Sequence, residues 1–147
     1  MAKGEIISIM RNFKDAYNKK DLEEILSFFT EDADWVNPDG VFKGKEEIKN
    51  HFKWVFEISP DEKIIESGGQ IIAEEDRAAY EHILEGSYEG MKYQILALGI
   101  CEFKGDKIQH VRTVYDRLSL AKQLAKGQIV KTAVNSIIKR MEKGLHA

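Results

Sequence analysis

His82 is the side chain in this sequence best placed to move a proton near neutral pH, where an imidazole titrates. It sits in the run Tyr80-Glu81-His82-Ile83-Leu84. In a strand, Tyr80, His82 and Leu84 share one face, which we place inward, while Glu81 and Glu85 point away. Two readings fit His82: a general base, or a histidine hydrogen-bonded within a semi-polar pocket. No inward carboxylate is evident, so His82 is the predicted catalytic residue if the chain is an enzyme.

Tyr17, Asn37 and Thr113 supply hydroxyl and amide groups for a ligand, or satisfy one another, since buried polar groups need partners. Trp35, Phe52, Trp54 and Phe56 form either an aromatic ligand wall or plain core. Phe52 reads as core, and Trp35 and Phe56 as pocket. The predicted ligand-binding set is therefore Tyr17, Trp35, Asn37, Phe56, Tyr80 and Thr113. Cys101 has no basic partner in sequence and reads as a buried, inert thiol. The four histidines lie on different elements without ligand spacing, so no metal is predicted. No glycine-rich phosphate loop occurs, and no cofactor is predicted.

These side chains must be positioned by a mixture of helices and strands. Ile6, Ile7, Met10, Phe13, Ala16 and Tyr17 recur at helical spacing. Asp21 is a candidate N-cap, with Glu24 placed for a capping box, and Ile25, Leu26, Phe28 and Phe29 give a second buried stripe. Residues 31–37 read as a short strand stopped by Pro38 and the Asp39-Gly40 turn. Ile48, Phe52, Val55 and Phe56 mark a third helix, with Pro60 beyond its end. Strands follow over Lys63–Glu74, bent at Gly68-Gly69, then Arg77–Glu85, Met91–Phe103 and Lys107–Leu118. In the last of these, Ile108, His110, Arg112 and Val114 alternate with Gln109, Val111, Thr113 and Tyr115. Neither set is cleanly polar, which predicts an internal strand. Asp116 and Arg117 read as structural groups at the strand–helix junction.

Helices followed by antiparallel strands indicate an α+β fold, here a curved antiparallel or mixed sheet wrapped as a cone around the N-terminal helices. The 147 residues suffice for one domain with a real core. A net charge of −3 argues against a nucleic-acid footprint. The single cysteine excludes an internal disulfide. No apolar run reaches membrane-spanning length, and the N-terminus does not fit a signal peptide. A cytoplasmic setting is the expectation.

The stretches AYNKKDLEEILSFFTEDADW, VNPDGVFKGKEEIKNHF and KIQHVRTVYDRLSLAKQLA resemble the nuclear transport factor 2-like superfamily. That group includes SnoaL-like polyketide cyclases, ketosteroid isomerases and limonene epoxide hydrolases. Tyr115-Asp116 and Gln123-Leu124 look most like the SnoaL-like ending. The resemblance implies a homodimer that binds a small hydrophobic molecule and isomerises, cyclises or hydrates it. A ligand carrier or sensor, or a protein-interaction module, is the alternative. The superfamily's carboxylates are not matched. Asn37 stands where the isomerases carry their aspartate base, and an amide cannot serve as one. Phe13 and Gly99 stand at their oxyanion donors, and Thr113 at the cyclases' aspartate. Tyr80 and His82 replace the hydrolases' Arg-x-Asp pair. The resemblance covers about residues 5–126, and residues 1–126 are read as a SnoaL-like domain. Residues 127–147 are predicted to add an amphipathic helix to the same unit, as a lid or, preferably, as an arm across a dimer partner.

Overall fold

The structure, a computed structural model, describes residues 1–68 and 71–145. The elements are α1 (Lys3–Lys19), α2 (Leu22–Ser27), β1 (Phe29–Asn37), β2 (Gly40–Lys43), α3 (Gly44–Ile58), β3 (Lys63–Glu66), β4 (Ile72–Glu74), β5 (Arg77–Tyr88), β6 (Met91–Lys104), β7 (Lys107–Tyr115), α4 (Arg117–Leu124) and α5 (Gln128–Met141). The sheet runs β2-β1-β7-β6-β5-β3, with β4 also on β5. The β1–β7 pair is parallel and the rest are antiparallel, so the sheet is mixed. The predicted α+β cone is the fold observed.

Helix α1 buries Ile6, Met10, Ala16 and Tyr17, and α3 buries Ile48, His51 and Phe52, each along one face. The helices meet the sheet through Phe13, Phe29 and Phe52, whose ring centroids lie 5.9, 6.2 and 6.3 Å apart pairwise. Phe29 opens β1 rather than closing α2, so the sequence-predicted second helix ends earlier and the strand begins sooner. Asp21 caps α2, accepting from the Glu24 N–H at 3.0 Å. The other half of a capping box is not needed, because the Asp21 N–H already donates to the Ala16 carbonyl.

Strand β7 lies between β1 and β6 as expected, but its alternation is broken. Phe103 pairs with Ile108 while Glu102 pairs with His110, leaving Gln109 as an extra residue. This β-bulge moves Ile108 onto the face of Val111, Thr113 and Tyr115, away from His110, Arg112 and Val114. The predicted strand over Lys63–Glu74 is likewise two strands. Glu66 pairs with His82 and Ile72 with Ala79, so β3 ends at Glu66 and β4 begins at Ile72 on the same partner strand. Gly68 has a φ of 82° there. Its partner in the predicted bend, Gly69, lies outside the described residues.

Strand β7 stops at Tyr115, where the Asp116 carboxylate caps α4 through the Leu118 and Ser119 N–H groups at 2.9 and 3.0 Å. Arg117 donates to the Pro38 carbonyl at 2.8 Å. Helix α4 then lies along the free edge of β6. Gln123 accepts from the Gln94 N–H at 2.8 Å and donates to its carbonyl at 3.1 Å.

Helix α5 buries no residue. Ile129 is 87% exposed and Met141 72%. An apolar stripe of this kind in water drives association. Truncation after Lys126 is therefore expected to weaken self-association in sedimentation measurements. An equally tight dimer after truncation rules out the arm, and unchanged mass with altered ligand release identifies a lid.

Candidate functional site

Between the concave face of the sheet and helices α1, α3 and α4 lies a cavity of about 440 Å³. The inward parity of the strands decides its wall. Strand β5 contributes Tyr80, His82 and Leu84, β6 contributes Tyr93, Ile95, Gly99 and Cys101, and β7 contributes Ile108, Val111, Thr113 and Tyr115. Tyr17, Trp35, Asn37, Tyr80, His82 and Thr113 all lie on this wall. Phe56 does not. Its ring packs behind Tyr17, with centroids 5.2 Å apart, and beside Phe52 at 6.0 Å. One helical turn separates Phe52 from Phe56, and α3 directs Val55 and Ile58 at the cavity instead.

Several of these groups partner one another. The Trp35 indole N–H donates to the Thr113 hydroxyl at 3.0 Å. Asn37 accepts from the Asp39 N–H at 2.8 Å, which fixes the β1–β2 turn. His82 lies flat against Tyr80, with centroids 4.6 Å apart and planes 15° from parallel. Burial lowers the His82 pKa, so the ring is neutral at neutral pH. Its Nδ1 is 3.4 Å from the Tyr80 carbonyl oxygen. Burial also pushes the Tyr80 hydroxyl up to about 12, and that buried hydroxyl has no hydrogen-bond partner among the described residues. Cys101 is pushed up to about 12 by burial alone, consistent with an inert thiol.

Carboxylates do reach the wall, contrary to the sequence expectation. Asp39, in the β1–β2 turn, faces His51 Nε2 at 3.2 Å and accepts from the Tyr115 hydroxyl at 3.0 Å. These contacts, His51 first, hold its pKa below the ordinary aspartate value. Glu62 is buried in the connection between α3 and β3. The Tyr17 hydroxyl donates to one of its oxygens and the Tyr93 hydroxyl to the other. Ser59 stands 2.8 Å from the Tyr93 oxygen. Burial, and then the Glu62 charge, raise the pKa of both tyrosines, so their protons stay in place. Glu62 escapes a periodicity argument because Ser59-Pro60-Asp61-Glu62 belongs to no strand or helix. The one local signal is Gly86 on the facing strand. A Cβ there would lie 2.7 Å from Ser59 Oγ, 2.8 Å from the Tyr93 hydroxyl and 3.0 Å from Glu62 Cα. Among the described residues no group of side chains is placed to hold a metal ion, and no helix is long and apolar enough to cross a membrane.

The sequence matches the SnoaL-like domain over residues 10–111. No curated protein matches it. Solved structures share the fold at low identity. An NTF2-like protein of unknown function from Burkholderia pseudomallei K96243 is 14% identical with a TM-score of 0.76, over 86% of this chain and 100% of that one. A proposed polyketide cyclase from Xanthomonas campestris pv. campestris is 16% identical with a TM-score of 0.74, over 82% and 97%. TerC, co-crystallised with polyporic acid, is 17% identical with a TM-score of 0.74, over 83% and 99%.

Two outcomes follow from the geometry. Gly86→Ala forces the Ser59–Glu62 connection off the sheet and is expected to cost about 1–3 kcal/mol in urea unfolding, as overpacking does. A neutral result would show that the connection yields freely. Asp39 has a lowered folded pKa, so its stabilisation is present above the unfolded aspartate pKa and is lost as pH falls through the folded value. Asp39→Asn is therefore expected to be less stable than wild type near neutral pH, with the gap closing in acid. A pH-independent gap would exclude this linkage.

Proposed function

The chain belongs to the SnoaL-like domain family, and we propose that it binds a small, largely apolar organic molecule in the cavity and carries out acid/base chemistry on it. Isomerisation, cyclisation and hydration are the reaction types in view. The observation that carries this reading is an apolar cavity of about 440 Å³ with a buried, neutral imidazole on its wall. That volume lies within the usual range for small-molecule sites. A protein of the same fold, TerC, has been co-crystallised with the organic molecule polyporic acid.

His82 is the proposed proton-transfer group. When its Nδ1 carries the proton toward the Tyr80 carbonyl, Nε2 remains as the base. Tyr17, Trp35, Asn37, Tyr80 and Thr113 are the proposed ligand contacts. The Tyr80 hydroxyl, unpartnered among the described residues, gains from any acceptor the ligand brings to it. Pairing into a homodimer fits the convex face of the sheet, where Leu96, Leu98, Ile100 and Val114 are each about half exposed.

The test is a panel of ketones, epoxides and polyketide analogues, assayed for binding by tryptophan fluorescence and for turnover. With a turned-over compound, His82→Gln is expected to lower the rate by about 10²–10⁴ while binding persists. Unchanged turnover removes His82 from the mechanism. Binding without turnover across the panel supports a carrier instead.

A further inference from the structure

We infer that the molecule taken by this cavity is a protonated organic amine with an apolar body, its ammonium group seated at Glu62. The inference rests on the reading of the cavity as a ligand site and adds the chemical class of the ligand.

Two carboxylates and one guanidinium line the cavity: Asp39, Glu62 and Arg117. Asp39 is already matched, by His51 and Tyr115, and Arg117 lies close enough to lower its pKa further. Glu62 is different. Its carboxylate takes a phenol proton on each oxygen and has no ion-pair partner among the described residues. Lys20 is not part of the cavity wall but lies close enough for the Glu62 charge to act on it. Its ammonium donates to the Glu62 main-chain carbonyl rather than to the carboxylate, and lies 4.9 Å from the Tyr17 ring centroid and 4.8 Å from that of Phe56.

A carboxylate offers about four acceptor positions. Tyr17 and Tyr93 fill one on each oxygen, so acceptor capacity remains for a ligand. A buried charge is costly unless paired and hydrogen-bonded, and an incoming ammonium supplies both. Charge-assisted hydrogen bonds are roughly twice as strong as neutral ones, so an alcohol of the same shape gains less. An anion meets two carboxylates and only Arg117 in compensation. The rest of the wall is rich in aromatic side chains, among them Phe13, Trp35, Phe52 and Tyr93, a residue type that attracts cations.

The experiment is calorimetric titration of the full chain near neutral pH with phenethylamine, phenethyl alcohol and hydrocinnamate. Wild type is expected to prefer the amine over the alcohol by about tenfold or more and to bind the carboxylate weakest. Glu62→Gln is expected to abolish the preference while the alcohol affinity stays within about threefold. Equal binding of amine and alcohol by wild type overturns the amine assignment and leaves the cavity reading standing. That comparison requires no variant to fold. A preference that survives in a folded Glu62→Gln protein, checked by circular dichroism, overturns the role of Glu62. Binding of none of the three overturns this inference, while retained binding of neutral ketones or epoxides would show that the site itself survives.

Discussion

The packing of Phe13, Phe29 and Phe52 is the contact on which the rest of the molecule depends. These rings come from α1, β1 and α3, and together they hold the helices over the concave side of the sheet. They fill one region beneath the sheet and leave the remainder open. The same helices then deliver the polar wall. Tyr17 stands one turn beyond Phe13, and His51 directly precedes Phe52. Aromatic side chains combine large burial with edge and tilted contacts that fix orientation, so the positions of Tyr17 and His51 are inherited from the core.

Beneath that core the protein buries ionisable groups in two ways. Asp39 is close to the surface and is matched by His51, Tyr115 and the neighbouring Arg117. Glu62 lies deeper and is held by neutral phenols. Phenols hold a carboxylate in place but bring no positive charge, and the Lys20 ammonium beside it donates to the Glu62 main-chain carbonyl. Gly86 makes this possible, since any side chain there would collide with the Ser59–Glu62 connection. His82 belongs to a different environment. It is stacked on Tyr80 and desolvated, which keeps it uncharged.

The fold was legible because its signals are periodic. The α1 stripe, the α3 stripe and the alternation in β5 and β6 each map directly onto burial. Tyr17, Tyr80 and His82 of the inward set come from these periodicities, and Trp35, Asn37 and Thr113 from the strand reading of β1 and β7. The departures arise where periodicity stops. A single extra residue at Gln109 reverses the parity of Ile108. The stretch read as one strand divides into β3, ending at Glu66, and β4, beginning at Ile72, both paired with β5. Asp39 and Glu62 sit on connections, where side-chain direction is set by contacts distant in sequence. Phe56 falls on the apolar stripe of α3, but periodicity alone does not distinguish the cavity side from the side that buttresses Tyr17.

Two amide side chains complete the cavity by satisfying strand edges. At one edge, Asn18 on α1 donates to the Ile64 carbonyl at 2.9 Å and accepts from its N–H at 2.7 Å, tying α1 to β3. At the other, Gln123 on α4 does the same for Gln94 on β6. Each amide substitutes for a neighbouring strand, because unpaired edge groups need partners. The two closures differ in strength. Helix α1 also buries Ile6, Met10, Ala16 and Tyr17, whereas α4 buries no side chain fully. Leu120 and Leu124 of α4 nonetheless line the cavity. Local opening is easiest where few apolar contacts are lost. Helix α4 thus walls the cavity with less buried apolar surface behind it than α1 has, and the Gln123 bridge to Gln94 carries much of its attachment to the sheet.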